Sequence, residues 1–363
     1  MAEDQEPDGA ESEPPSAERG AEEASSSTEL AEVDPFYGSD PYEDSGWKQL
    51  SALLDKVPFV GALKKEAARL RKLVGERRAP RVAIVGPDGD AATLACALLA
   101  AREVETTSGP SGWREVRTEG RRLLWHLGLA TDADVVLYLA SGETLDEPAA
   151  AKEGDPKPFV VLVGGEHPNL GLMRQRLESS LENALPVFVA CRSGEGFAEM
   201  VPQDGGDRGL LALREAVAAA LPEEAAVEGA RALDAPAARL RVADAVVQSC
   251  STLAITVALA PVPLSDIALL APVQGLMVST VCHISGRTWN RRTAAEWVAS
   301  AGVVGGMGVG FRAVARQVVK LVPGAGSVVA GSIAGAGTLA LGRSAKRYFL
   351  LEDSRRHTAR LDP

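Results

Sequence analysis

The sequence predicts an α/β protein in which a parallel sheet carries helices on both faces, followed by an all-α unit rich in small residues. Between residues 79 and 221, short apolar runs typical of buried strands alternate with helical patterns. This alternation favours a parallel sheet, because parallel neighbours are joined by crossover helices that cover both faces. After residue 230 the strand patterns end and long alanine- and valine-rich helical patterns begin. The predicted strands are residues 82–85, 123–127, 135–139, 159–163 and 186–190.

A strongly acidic segment opens the chain. Residues 1–46 contain 15 Asp and Glu against one basic residue, Arg19, whereas the whole chain has a formal net charge of −11. The segment has too little apolar surface to offset the entropy of ordering, so we predict that it is disordered. The remaining residues are close to neutral, which argues against a nucleic-acid partner. A solubilising tail, a docking arm and an autoinhibitory mimic of an anionic ligand all remain open interpretations.

Residues 47–79 are predicted to be a helical lead-in, broken near Pro58. The second helical piece is strongly basic, and such a helix can lie on anionic lipid or bind the acidic segment of its own chain. A solvated outer face leading into the sheet is the simpler interpretation. Its basic residues are Lys64, Lys65, Arg69, Arg71, Lys72, Arg77 and Arg78.

A glycine turn at residue 86 organises the predicted sheet. A buried strand ends just before Gly86, and residues 91–101 strongly favour a helix. Strand, tight glycine turn and helix are the geometry that presents backbone N–H groups to a phosphate. The phosphate-loop pattern G-x-x-x-x-G-K-[ST] falls on GPDGDAAT, residues 86–93, in which only Gly86 and Thr93 match.

The charges around this turn disfavour a nucleotide. Alanine stands at both the second glycine and the lysine position of the pattern, at Ala91 and Ala92. Asp88 and Asp90 add two carboxylates where a triphosphate would lie, and their repulsion is about a few kcal/mol at partly shielded distances. We therefore predict no cofactor, with GTP and Mg²⁺ disfavoured. If a nucleotide were bound, Gly86 and Thr93 would be the cofactor-binding residues.

The order of elements over residues 80–221 resembles the small GTPases of the Era/TrmE and dynamin-related group, with two motifs changed. Residues 125–128, WHLG, stand where D-x-x-G is expected, so Trp125 replaces the aspartate that would hold Mg²⁺. Residues 164–167, GGEH, stand where N-K-x-D is expected, so the aspartate that reads the base is missing. The resemblance implies a P-loop GTPase-like fold whose nucleotide motifs are degenerate.

Other parts of the same pattern are retained. Residues 130–141, ATDADVVLYLAS, resemble the GTPase strand that starts with Ala-Asp, and we interpret Asp134 as a strand-entry cap rather than a ligand. Residues 193–197, SGEGF, resemble the end of the last GTPase motif, which is largely a structural turn. Glycine and strand packing were kept, while charge was lost wherever phosphate, metal or base needs a partner. This combination is hard to reconcile with efficient hydrolysis.

The C-terminal third places prolines and glycines at fixed offsets, within ALAPVPLSDIALLAPVQGLMVSTVCHISG and VVKLVPGAGSVVAGSIAGAGTLALGRSAKRYF. The residues that carry this pattern are Pro261, Pro263, Asp266, Gln274, Met277, Gly286, Pro323, Gly324, Gly326, Thr338, Gly342 and residues 347–349. Through this pattern, the segment 235–349 resembles the helical domain of YcjF-like bacterial proteins. That resemblance implies a domain without an assigned reaction, often found behind an Era-type GTPase domain and frequently described as membrane-associated.

Two charge-poor regions of the C-terminal third are long enough to span or line a membrane. We expect membrane contact through residues 245–286 and 321–342, and basic residues follow both. A wholly soluble bundle of small-residue helices is the alternative, since glycine and alanine also allow close packing in water. Self-association through these helices is left open.

Six segments follow from these patterns. They are an acidic tail (1–46), a helical lead-in (47–79), a degenerate GTPase-like domain (80–221), a linker (222–235), an apolar helical domain (236–351) and a polar tail (352–363). The chain shows no signal-peptide pattern, so we expect it in the cytoplasm, with attachment to the cytoplasmic membrane as an option.

The function predicted from sequence is that of a non-catalytic interaction or scaffold protein, with an unknown protein partner, at or near the cytoplasmic membrane surface. One alternative is a GTP-binding protein with weak or unorthodox GTPase activity. Another is a wholly soluble scaffold that uses its acidic tail. The sequence predicts no catalytic residues. It also predicts no metal site, because its His and Cys residues lack ligand spacing.

Overall fold

The structure is a computed structural model that describes most of the predicted sheet region and C-terminal helices. The described residues are 61–99, 105–118, 120–140, 156–164, 170–181, 185–193, 196–197, 209–259, 265–304 and 326–351. The predicted acidic tail, the lead-in up to residue 60 and the polar tail lie outside them. So do residues 165–167 of the predicted base-reading motif, residues 260–264 and residues 321–325.

The described residues are mostly helical and form α/β structure, as the sequence predicts. The strands are β1 (Arg81–Val85), β2 (Glu105–Ser108), β3 (Trp113–Thr118), β4 (Arg121–Leu127), β5 (Val135–Ala140), β6 (Lys157–Gly164), β7 (Val187–Ser193) and the two-residue β8 (Gly196–Phe197). The helices are α1 (Gly61–Leu70), α2 (Asp88–Leu98), α3 (Leu170–Ser180), α4 (Leu210–Ala220), α5 (Glu223–Ala232), α6 (Pro236–Leu259), α7 (Ser265–Ile284), α8 (Arg291–Val304) and α9 (Gly326–Lys346). A π-helical turn, Arg71–Gly75, continues α1, and another, Arg347–Leu351, follows α9.

The sheet is mixed, whereas the sequence predicted a parallel one. Its strand order is β2-β3-β4-β1-β5-β6-β7, with β8 paired antiparallel to β7. Strands β4, β1, β5, β6 and β7 run parallel, and β2 and β3 add an antiparallel edge. The sequence of β3, WREVRT, is too polar to predict a buried strand, because only Trp113 and Val116 of this strand are buried.

Two apolar cores lie on opposite faces of the sheet. The smaller core joins strands β5, β6 and β7 to α3 through Leu177 and Leu181. The larger core joins the other face to α2, α4 and α5 and continues without a break into α6, α7 and the turn after α9. Helices on both faces were predicted and are present among the described residues. The sheet and the C-terminal helices share one apolar core.

Helix α5 occupies the segment expected to be a linker, residues 222–235. Its Ala225, Val227 and Ala230 are fully buried between β4 and the C-terminal helices. A Cβ at Gly229 would lie 2.0 Å from Cδ1 of Leu221, so any larger residue would force that leucine side chain to move. The abundance of Ala and Glu predicts a polar connector, but the small side chains serve close packing instead.

The C-terminal helices also pack through small residues. A Cβ at Gly335 of α9 would lie 2.3 Å from Cγ1 of Ile255 on α6, and one at Gly342 would lie 2.6 Å from both Val247 methyl carbons. Gln274 on α7 donates a hydrogen bond to the buried Thr338 hydroxyl on α9, with Nε2 and Oγ1 3.1 Å apart. Residues that carry the YcjF-like pattern thus contact one another across the bundle.

One described helix is long and apolar enough to cross a membrane, over residues Pro236–Ala258. Half of its most apolar window is buried inside the protein, which core helices of water-soluble proteins also show. Its exposed positions include Arg241, Asp244, Gln248 and Thr252, which are polar and fall on one stripe. In α7, residues 276–284 are buried throughout. Membrane contact stays a prediction.

A buried carboxylate ties the segment before β1 to the start of β5. The Asp134 side chain is 4% exposed and accepts both Nη1 and Nη2 of Arg78, at 2.8 and 2.5 Å. The same carboxylate accepts the backbone N–H of Arg81 at 2.9 Å. The hydrogen bonds to Asp134 raise the pKa of Arg78. Asp134 therefore acts as a junction between strands, in agreement with its interpretation as a cap.

We expect Asp134→Asn to lower the free energy of unfolding by about 2–3 kcal/mol, because it leaves a half-buried guanidinium without its anion. Asp132→Asn is the matched control: Asp132 is 51% exposed and contacts Arg81 at 3.0 Å. That variant should lose less than about 1 kcal/mol. Urea denaturation of both variants checks this, and equal losses would contradict the assigned role of Asp134.

Candidate functional site

The turn that resembles a phosphate loop is only two residues long. Strand β1 ends at Val85 and α2 begins at Asp88, so only Gly86 and Pro87 lie between them. The backbone N–H of Ala91 donates to Pro87 O at 2.9 Å and so belongs to the first turn of the helix. Most of the predicted phosphate-loop residues are therefore helical.

Gly86 is required by packing against β5. Its φ of 158° lies in the positive range that residues with a Cβ rarely adopt. A Cβ at this position would also lie 2.7 Å from Cβ of Leu139. This contact accounts for the glycine without a ligand.

Thr93 uses its hydroxyl within its own helix. Its Oγ1 donates to the carbonyl of Gly89 at 2.7 Å, one turn earlier. Such a bond occupies the proton that a free hydroxyl could offer elsewhere. Gly86 and Thr93, the two predicted cofactor-binding residues, thus each have a structural role, and no contact between them is seen.

An ion pair occupies the amino end of α2. Arg114 of β3 donates from Nη1 to Oδ1 of Asp88 at 2.8 Å, and its guanidinium carbon lies 4.8 Å from the ring centre of Trp125. Trp125 is 1% exposed and pairs in register with Val82 of β1. The Asp88 carboxylate supplies the negative charge that a helix N-terminus favours. A phosphate would have to displace this carboxylate and compete for its arginine.

Gly86→Ala should lower the free energy of unfolding by about 1–3 kcal/mol, because its Cβ would meet Leu139. Gly89→Ala is the matched control, since a Cβ at Gly89 meets nothing within 4 Å. Within a helix that change should leave stability unchanged or raise it by up to about 1 kcal/mol. Chemical denaturation measures both, and a neutral Gly86→Ala would contradict the packing explanation.

A second site lies at the opposite end of the parallel strands, where β1 and β4 begin. It is a cleft of about 490 Å³ between the β3–β4 hairpin, the segment before β1, α5 and the end of α7. Among the described residues that line it, six are arginines and one, Glu228, is a carboxylate. We call it the arginine cleft. Its arginines are Arg77, Arg117, Arg121, Arg122, Arg231 and Arg287.

The floor of the arginine cleft is a buried polar network between α5 and α7. Nε2 of His283 and Oε1 of Glu228 are 2.9 Å apart, and Nη1 of Arg231 lies 2.5 Å from Nδ1 of His283. A neutral imidazole satisfies both contacts, with its proton on Nε2 directed at Glu228. Arg77 joins from the other side, donating from Nη2 to the Thr280 hydroxyl at 3.2 Å.

Burial and neighbouring charges set the protonation states of His283 and Glu228 in this floor. Desolvation lowers the pKa of His283 to about 4, although its hydrogen bond to Glu228 opposes the shift. Burial alone would raise the pKa of Glu228, but the hydrogen bond from His283 and the charges of Arg77 and Arg231 lower it overall. At neutral pH the floor therefore holds a neutral histidine beside an ionised glutamate.

The arginine cleft was missed by sequence reasoning, because its residues come from four separate parts of the chain. The available signals were the basic cluster at residues 117–122, RTEGRR, and the basic end of the lead-in. In the described part of the chain, no three His, Cys, Asp or Glu side chains gather as metal ligands would.

Comparison of the chain with protein-family models and with curated protein sequences finds no match. The resemblances to Era/TrmE-like GTPases and to YcjF-like proteins stay predictions.

We expect the free energy of unfolding to fall as the pH drops from about 6.5 towards 4, because His283 stays neutral in the folded chain. The unfolded chain then binds more protons, so stability is full above pH 6.5 and is lost below it, by about 3 kcal/mol for the full shift. His283→Gln should flatten this slope. Urea titrations at a series of pH values measure it, and an unchanged slope in the variant would contradict the buried neutral histidine.

Proposed function

We propose that this chain is a non-catalytic interaction protein derived from a GTPase fold, and that it does not bind guanine nucleotide at the β1–α2 turn. The observation that carries the proposal is the Asp88–Arg114 ion pair over the buried Trp125. An internal carboxylate and an aromatic ring stand where this fold would hold phosphate and Mg²⁺. Mg²⁺ and a lysine would be needed to stabilise charge on a transferred phosphate.

The sheet topology supports the derivation from a nucleotide-binding fold. Strand β1 lies between β4 and β5. The strands that follow it in sequence, β2 to β4, lie on one side of it, and β5 to β7 lie on the other. In open α/β sheets, ligands bind beside such a reversal, at the carboxyl ends of the strands. Gly86 lies at that end of β1, which is the position that our proposal assigns to the ancestral ligand site.

The packing of the C-terminal helices supports the second resemblance. Gln274 bonds to Thr338, and a Cβ at Gly342 would lie 3.1 Å from Sδ of Met277. All four residues belong to the YcjF-like pattern, so helix contacts account for this part of the pattern. We infer that these helices complete the sheet's core and give the protein a rigid surface for a protein partner.

Isothermal titration of the full chain with GTP, GDP and ATP, with and without Mg²⁺, tests the proposal. We expect no binding that prefers guanine and none that depends on Mg²⁺, because the residues for both are replaced. Inorganic pyrophosphate is the control ligand, since the arginine cleft can attract phosphate of any origin. Micromolar, Mg²⁺-dependent binding of GTP in preference to ATP would contradict the proposal and favour a weak GTPase.

A further inference from the structure

The arginine cleft gathers like charges at a cost in stability. Arg117 and Arg122 stand directly opposite each other in the β3–β4 register. Like charges in this position repel and destabilise a strand pair. Arg121 and Arg231 add two more cations to the same cleft. Local arrangements that destabilise the folded state are expected at binding sites.

Several of these guanidinium groups are held in place by the rest of the structure. Arg121 donates to the carbonyl of Leu99 at 3.0 Å, whereas Arg117 makes an exposed ion pair with Glu105 at 3.0 Å. Arg231 is fixed by His283 at the floor of the cleft. A Cβ at Gly120 would lie 2.4 Å from Nη2 of Arg231, so the hairpin turn closes directly over that side chain. Fixed donors lose little entropy when a ligand arrives.

The one described carboxylate that lines the cleft is already engaged. Glu228 is held by His283 at 2.9 Å and is 13% exposed. Its charge lies at the floor, and the arginines of the hairpin stand at the open side, where Arg117 and Arg122 are exposed. An anion entering from solvent therefore meets guanidinium groups before it meets Glu228.

We propose that the arginine cleft is an anion-binding site for a ligand that carries a phosphate or diphosphate group. Guanidinium groups bind phosphate oxygens in pairs with matching geometry. The hydroxyls of Thr118 and Thr288 line the same cleft and can donate to further oxygens. A volume of about 490 Å³ suits a small molecule or a lipid headgroup. The site is distinct from the β1–α2 turn, so it stands or falls independently of the proposed function.

Isothermal titration of the full chain with sodium pyrophosphate at physiological salt is the first test. We expect saturable binding at one site per chain. The double variant Arg117→Gln, Arg122→Gln should weaken it by about tenfold or more, since each charge-assisted contact to phosphate contributes to affinity. Lys64→Gln, Lys65→Gln is the matched control, because it removes the same charge from exposed positions on α1 outside the cleft. It should change affinity by less than about twofold.

A second arm separates the two sources of phosphate. Sedimentation with phosphatidylcholine vesicles that contain phosphatidic acid tests a lipid headgroup, with phosphatidylglycerol as the phosphodiester control. Binding of pyrophosphate alone indicates a soluble ligand, and arginine-dependent binding to phosphatidic acid indicates a headgroup. Circular dichroism and thermal melting confirm that each variant folds. The proposal is overturned if neither probe binds, or if both double variants weaken binding equally.

Discussion

Close packing of helix α5 between the sheet and the C-terminal helices is the constraint on which the rest of the structure depends. Ala225 and Ala230 have no exposed surface, and a Cβ at Gly229 would force the Leu221 side chain to move. The buried residues of α5 join the core of the sheet to that of the bundle. This packing also places Glu228 and Arg231 against α7 and the β3–β4 hairpin, so the arginine cleft follows from how closely α5 can pack.

The two ends of the parallel strands differ in charge: one is internally neutralised and the other is rich in arginine. At the carboxyl end of β1, the positive end of α2 is satisfied by Asp88, which is itself paired with Arg114. At the amino end, arginines converge on a floor with a neutral histidine and one carboxylate. The end at which this fold type binds ligands is internally neutralised, whereas the end that usually serves stability carries the excess of cations. Binding chemistry is therefore better sought at the second end.

The parts of the fold that could be predicted from sequence are those with strong local patterns. The parallel strands read as apolar runs, so β1, β5 and β6 were placed within two residues of their observed bounds. Strand β3 was not predicted because only two of its six residues are buried. The segment of α5 was predicted to be a linker because it opens with Pro, Glu and Ala, and its large apolar side chains are few. The arginine cleft depends on contacts between residues as far apart as Arg77 and Thr280, and no local pattern encodes such contacts.

Trp125 is tightly integrated into the sheet. Its side chain is almost completely buried, beneath Arg114 and beside Val82. An aspartate there would leave a cavity that costs about 3–5 kcal/mol and would place a carboxylate in apolar surroundings. Arg114 would also lose the ring beneath its guanidinium. Since Asp88 holds that same arginine, a change at Trp125 would also disturb the ion pair at the amino end of α2.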